Sequence, residues 1–233
     1  MNKVYSVLIR RFSFDHLGRR LVPAVFGAVA AAAVAAWPCG ASAQTVRDLV
    51  YKVVHATYGD IGTYANQVTT SGDATTVKTT VHLAVKVLGI VVHRENDERT
   101  EQWRNHRLVA FHSVTDKNGT TIVVDGRAEG DKFMITSPRG TFAAPATVQP
   151  ANPWSLASLQ STTMMRVDTG KVESVRVLGG QAATVNVDGT SVATREYQID
   201  GGQKYRVWFN QKGIPVKFTV DDDTGKVTFL LIR

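Results

Sequence analysis

The chain has 233 residues, 43% of them hydrophobic and 20% charged, with a formal net charge of +7. Five basic side chains and one acid fall in the first 43 residues, so the remaining 190 are nearly balanced at +3. Interspersed charge of that size makes no clustered basic face, and nucleic acid is not an expected partner. Cys39 is the single cysteine, which excludes a disulfide framework, a thiolate metal site and a cysteine nucleophile from the rest of the chain.

The chain begins with Lys3, Arg10, Arg11, Arg19 and Arg20, followed by an apolar run over residues 21–37. Pro38-Cys39-Gly40-Ala41-Ser42-Ala43 then places small residues at −3 and −1 of a cleavage point before Gln44. This is the pattern of a secretory signal peptide. At 17 residues, with Pro23 inside it, the run is short for a membrane span. Trp37 and Pro38 suit a lipoprotein-type cut before Cys39 poorly. The expectation is a signal peptide over residues 1–43 and one all-β domain over 44–233, periplasmic or secreted. Membrane contact is then expected only through the signal peptide during export.

After Gln44, Val and Thr recur at short spacing and turn residues punctuate regularly, which predicts strands almost throughout. The first run covers residues 49–58 and closes at Gly59-Asp60-Ile61-Gly62; the second covers 61–70 and closes at Ser71-Gly72-Asp73. In the third, over 75–88, Val77, Thr79, Val81, Leu83, Val85 and Val87 share one face and Lys78, Thr80, His82, Ala84 and Lys86 the other. That alternation marks a half-buried antiparallel strand. Gly89 breaks it, and strands follow over 90–104, 107–115, 120–128 and 132–137, separated by Gly-containing turns.

Residues 138–161 hold four of the seven prolines and few periodic apolar residues. They predict a long connection, with a short strand near 141–143 and a helical turn after Pro153. Such a connection inside a compact domain is often a lid or binding segment. Strands return over 162–167, 171–178, 182–187, 190–199, 204–210, 215–220 and 226–232. The expected fold is all-β: a strongly curved antiparallel sheet or open barrel in meander order, of about ten to twelve strands.

Residues 95–104 resist this pattern, being polar on both faces at period two. As a helix the segment is acidic early and basic late, which suits the macrodipole, but only Trp103 would be buried. As a strand, one face is solvated and the other lines a wet cavity.

No catalytic motif stands out. The histidines His55, His82, His93, His106 and His112 form no compact ligand pair, and His93 with Glu95 on one strand face is a weak metal hint. Asp97, Glu98 and Glu101 have the chemistry for acid–base work, but Arg94, Arg99 and Arg104 beside them suit a solvated face. Asp221-Asp222-Asp223-Thr224-Gly225 lacks downstream acidic ligands for calcium and reads as a turn. Catalytic residues, metal and cofactors are therefore all expected to be none. Trp103, Trp154, Met164 and Met165 are the candidate lining of an apolar pocket, since Met adapts to irregular shapes. The alternative is that they simply form core.

Around Glu101-Gln102-Trp103-Arg104-Asn105-His106-Arg107-Leu108-Val109 the chain resembles a family of exported bacterial domains of unknown function. Thr115-Asp116-Lys117-Asn118-Gly119, Gly59-Asp60-Ile61-Gly62-Thr63 and Trp154 extend the likeness over most of residues 49–233. Asn105-His106 departs from the Asp-Gly common at that turn. The resemblance implies a curved all-β sheet reminiscent of periplasmic lipoprotein-carrier folds, and no activity or catalytic residue. The functional expectation is non-enzymatic binding of a lipid or other apolar ligand. The alternatives are an envelope module that binds a protein partner, and a hydrolase using the carboxylates of residues 95–101.

Overall fold

The computed structural model describes residues 43–232. The basic start and apolar run expected as a signal peptide, and Cys39 with them, lie outside the described residues. Eight strands run in chain order: β1 (Thr45–His55), β2 (Gly59–Ser71), β3 (Ala74–Val87), β4 (Ile90–Arg104), β5 (Arg107–Lys117), β6 (Thr120–Glu129), β7 (Lys132–Ser137) and β8 (Gly140–Pro145). A connection follows with β9 (Gln149–Pro150), a 3-10 turn (Leu156–Gln160), β10 (Thr163–Met165) and β11 (Val172–Ser174). Five more strands complete the chain: β12 (Arg176–Val187), β13 (Thr190–Asp200), β14 (Tyr205–Asn210), β15 (Pro215–Asp222) and β16 (Gly225–Leu231).

Thirteen strands form one antiparallel sheet in the order β12-β13-β14-β15-β16-β1-β2-β3-β4-β5-β6-β7-β8. Every neighbour is a hairpin partner except at one seam, where β16 pairs with β1, Val53 opposite Phe229. The sheet is a meander joined through its termini, with β12 and β8 as its edges. It exceeds the expected ten to twelve strands, and residues 140–145 pair fully with β7, while the bulge at Gly179-Gly180 makes one strand, β12, of the segments expected over 171–178 and 182–187. The connection therefore starts after Pro145.

Tight turns set the register. Four two-residue loops, Leu88-Gly89, Asn105-His106, Asn118-Gly119 and Asp188-Gly189, have positive φ at both positions. That is the geometry whose twist matches the flanking strands. Asn105-His106 keeps it without a glycine, at φ 49° and 62°.

Residues 146–175 fold back against the inner face of the sheet. Their β9, β10 and β11 make a separate three-stranded sheet containing one short parallel pair. Two cores result. One gathers Tyr51, Tyr64, Val81, Val207, Phe209 and Phe218 around Met164. The other gathers Val77, Trp103, Leu108, Phe111, Phe133 and Ile135 around Val148 and Met165.

Candidate functional site

The first core is not filled to the end of the strands. A cavity of about 560 Å³ opens there, lined from β2, β3, β15 and β16 by Ile61, Val81, Leu83, Val85, Phe218, Val220, Val227 and Phe229. That volume is within the range of small-molecule sites. The apolar floor is ordered by ring packing: Phe218 and Phe229 stack at 4.2 Å, and Tyr64 meets both edge-on at 5.5 Å.

Two β-bulges shape the mouth. Val53 and Val54 pair with Gly62 and Asp60, leaving Ile61 over, while Val85 and Lys86 pair with His93 and Val91, leaving Val92 over. Both extra residues line the cavity, which is the usual use of a bulge to re-aim a side chain. Gly62, at φ 141°, sits at the bend; a Cβ there would overlap the carbonyl of His82.

One wall is charged. It is built by the inward residues of the segment over 95–104, which forms the middle and end of strand β4 and not a helix. Glu95, Asp97 and Arg99 line the cavity from β4, Lys117 from β5, and Arg166 and Asp168 from the connection. Asp97 accepts from Arg99 Nε at 2.7 Å, Thr115 Oγ1 at 3.0 Å and Ser113 Oγ at 3.3 Å. Arg99 also lies 5.6 Å above the Tyr64 ring. Burial works against its charge, but Tyr64, Asp97 and Glu101 outweigh that and hold it charged. Asp168 accepts from Lys117 Nζ and from Arg166 Nη2, each at 2.9 Å. Burial would raise Asp168, yet Arg166 and Lys117 hold it down at about 2. Lys117 also reaches Glu95 at 3.5 Å. Three carboxylates thus face three cations, giving a polar boundary with its charges matched.

Behind this wall lies a buried polar knot, beside which Trp103 and Trp154 line a second pocket of about 280 Å³. Glu101 has no exposed surface; its Oε2 accepts from the indole N–H groups of Trp103 at 3.0 Å and Trp154 at 3.1 Å. Its Oε1 accepts from Asn152 Nδ2 at 2.8 Å. Asn152 Oδ1 in turn accepts from the Tyr64 hydroxyl at 2.7 Å and from Asn66 at 3.0 Å. Burial raises Glu101, against the pull of Asn152, Arg99, Trp103 and Trp154.

The knot explains where the four expected pocket residues lie. Trp103 and Trp154 meet edge-on at 5.7 Å and donate to Glu101. Met164 packs in the first core and Met165 in the second. None of the four is among the residues that line the large cavity. Its apolar lining comes instead from the alternating face of β3, legible in the sequence, and from β15 and β16. Lys117, Arg166 and Asp168 converge from sequence-distant segments without a motif. The hinted pair His93 and Glu95 is 3.8 Å apart. Among the described residues no group of three His, Cys, Asp or Glu side chains could hold a metal ion. Among them too, no helix is long and apolar enough to cross a membrane.

A family model for a domain of unknown function, DUF6134, matches residues 51–232, nearly the whole sheet. The chain belongs to this family. A crystal structure of a β-barrel-like protein of another such domain, DUF1849, from Brucella abortus shares the fold, with a TM-score of 0.61. Identity is 13%, over 81% of this chain and 96% of that one. Among curated proteins none matches the chain. The all-β reading and the likeness to domains of unknown function are thus supported, and the shared fold by itself assigns no activity.

Proposed function

We propose that the protein is exported and holds a lipid or other apolar molecule in the concavity of its sheet. One observation carries this reading: a cavity of about 560 Å³ with an apolar floor of aliphatic and phenyl side chains and a charge-matched polar wall. An apolar chain lying on Phe218, Phe229 and Val227 removes hydrocarbon from water on both sides. A polar head stops at the level of Lys117 and Asp168. Export is supported by the basic start, apolar run and Ala41-Ser42-Ala43 ending of the first 43 residues. Residue balance in the wall favours a head that is uncharged or zwitterionic.

Native mass spectrometry of the protein recovered from its own cells tests this, with the N-terminus read from the same spectrum. The expected result is an adduct of lipid size on a chain beginning at Gln44. In solution, a dansyl fatty acid is expected to bind, and the doubly filled variant Leu83→Trp with Val85→Trp to lose binding while keeping its unfolding midpoint. A bare mass, together with no uptake of the dansyl probe, would overturn the reading.

A further inference from the structure

Pairing of β3 with β2 ends at Leu83, and pairing of β4 with β5 ends at Glu95. Beyond those positions residues 84–94 form a hairpin whose strands pair only with each other, steadied at the base by Asn118, which bonds Arg94 through its backbone and its side chain. The tip is apolar and in water: Leu88 is 98% exposed, Ile90 69% and Val92 56%. A two-stranded arm with open edges and an apolar end invites association.

The turn itself shows a choice. The first loop residue needs positive φ, and at three of the four loops of this kind it is Asn105, Asn118 or Asp188. The β3–β4 loop has Leu88 there, at φ 51°, a conformation that branched apolar residues rarely adopt. An exposed leucine thus replaces the residue type that suits the backbone, with no buried contact to compensate.

We propose that this hairpin is a docking arm for an anionic lipid surface, which it enters with Leu88 and Ile90. Charge selects the occupant: residues 84–94 contain no acid, and Lys86 and Arg94, both exposed, flank the tip beside His93. Basic groups bordering an apolar tip match the interface between phosphate headgroups and acyl chains. The hairpin across the mouth carries the acids Asp221 and Asp223, with Lys226 paired opposite Asp221, where residues 84–94 carry bases alone. Val85 and Val92 belong both to the arm and to the cavity lining, and give a continuous apolar path from tip to floor. The proposal goes beyond the cavity reading and stands or falls separately from it.

The test uses the full chain as the host cell leaves it, with the same N-terminus in all variants. In a Cys39→Ser background, an environment-sensitive fluorophore is placed by Leu88→Cys and, as control, by Asp131→Cys at the β6–β7 turn. With phosphatidylglycerol vesicles the label at 88 is expected to shift to the blue and be quenched by nitroxide lipids, the label at 131 not. Leu88→Asn keeps the turn and is expected to lower vesicle partitioning by about tenfold or more, from loss of one buried leucine. Arg94→Gln is expected to lower it by about fivefold. A label at 88 that stays in water, equal responses at both sites, or undiminished partitioning of Leu88→Asn overturns the proposal. So does a shift without lipid that grows with protein concentration, which would make the tip a contact between two copies. Dansyl-probe uptake by Leu88→Asn in lipid-free buffer reports on the cavity alone. If it is absent in parent and variant while label 88 enters lipid, docking stands and the cavity reading fails.

Discussion

The two halves of the concave face share strands β2 to β5 and end differently. Toward one end Val77, Glu101, Trp103, Phe111 and Phe133 are buried with Val148 and Met165. Toward the other, the same β3 and β4 carry Leu83, Val85 and Glu95 into open space. The difference is how far the connection reaches. Its buried Met165 and Asn152 and half-buried Trp154 pack into the first half, while from the connection only Ala151, Pro153 and Arg166 to Asp168 border the open space of the second. Charge follows the same division: Glu101 is satisfied by N–H donors in a buried knot, whereas Glu95 and Asp168 are satisfied by cations at the cavity wall.

The largest expected effect comes where the two halves meet. Asp97→Ala leaves Arg99 buried without its carboxylate and removes the acceptor of Ser113 and Thr115. We expect a loss of about 3–5 kcal/mol in denaturant unfolding. The pair Arg127–Glu129 has comparable contact geometry with side chains 73% and 47% exposed. Its Glu129→Ala counterpart is expected to cost about 0–1 kcal/mol. Equal losses from the two would mean that Arg99 reaches water through the cavity, and that the boundary between the halves is misplaced.

Acid separates the halves by sign. Asp168 titrates at about 2 in the folded protein against an ordinary value of 3.8. Folding therefore favours its carboxylate; the stability is fully present above about pH 4 and lost as pH falls toward 2. The expected loss over that window is about 2 kcal/mol, absent in Asp168→Asn. Glu101 is raised by burial, so folding favours its protonated form and the charged form carries a cost at neutral pH that acid relieves. Stability curves against pH for Asp168→Asn and Glu101→Gln are expected to depart from the parent in opposite directions. Departure in the same direction would remove the distinction between knot and wall.

Much of the sheet was legible because its signals are local. The strand over 132–137 and the start and end of β4 were set by turn residues, and the inward face of β3 by alternation. The polar stretch over 95–104 was the most telling segment. Its lack of an apolar face contradicted a simple strand, and the structure answers with a strand whose inner face is charged because it borders a cavity. Trp103 and Trp154 were legible as inward residues but not as hydrogen-bond donors, since their acceptor Glu101 is held from a sequence-distant segment by Asn152. The ion cluster of Lys117, Arg166 and Asp168 depends on how residues 146–175 fold back, which no local pattern encodes. The glycine pair Gly179-Gly180 reads as a break between two strands, whereas a bulge absorbs it within one.

The smallest expected effect gives the sharpest contrast between the halves. Val77 and Val85 lie on one face of β3, eight residues apart. Val77 is fully buried among Val68, Phe111 and Trp103, and enlarging it forces those side chains from their rotamers. Val77→Phe is expected to cost about 1–3 kcal/mol. Val85 borders the cavity, so the added ring of Val85→Phe grows into open space. It gains apolar contact with the floor and is expected to change stability by less than about 1 kcal/mol. Thermal unfolding of the two variants side by side measures the difference. A cost at Val85 as large as at Val77 would mean that the second half closes in solution, and that the concave face has one continuous core after all.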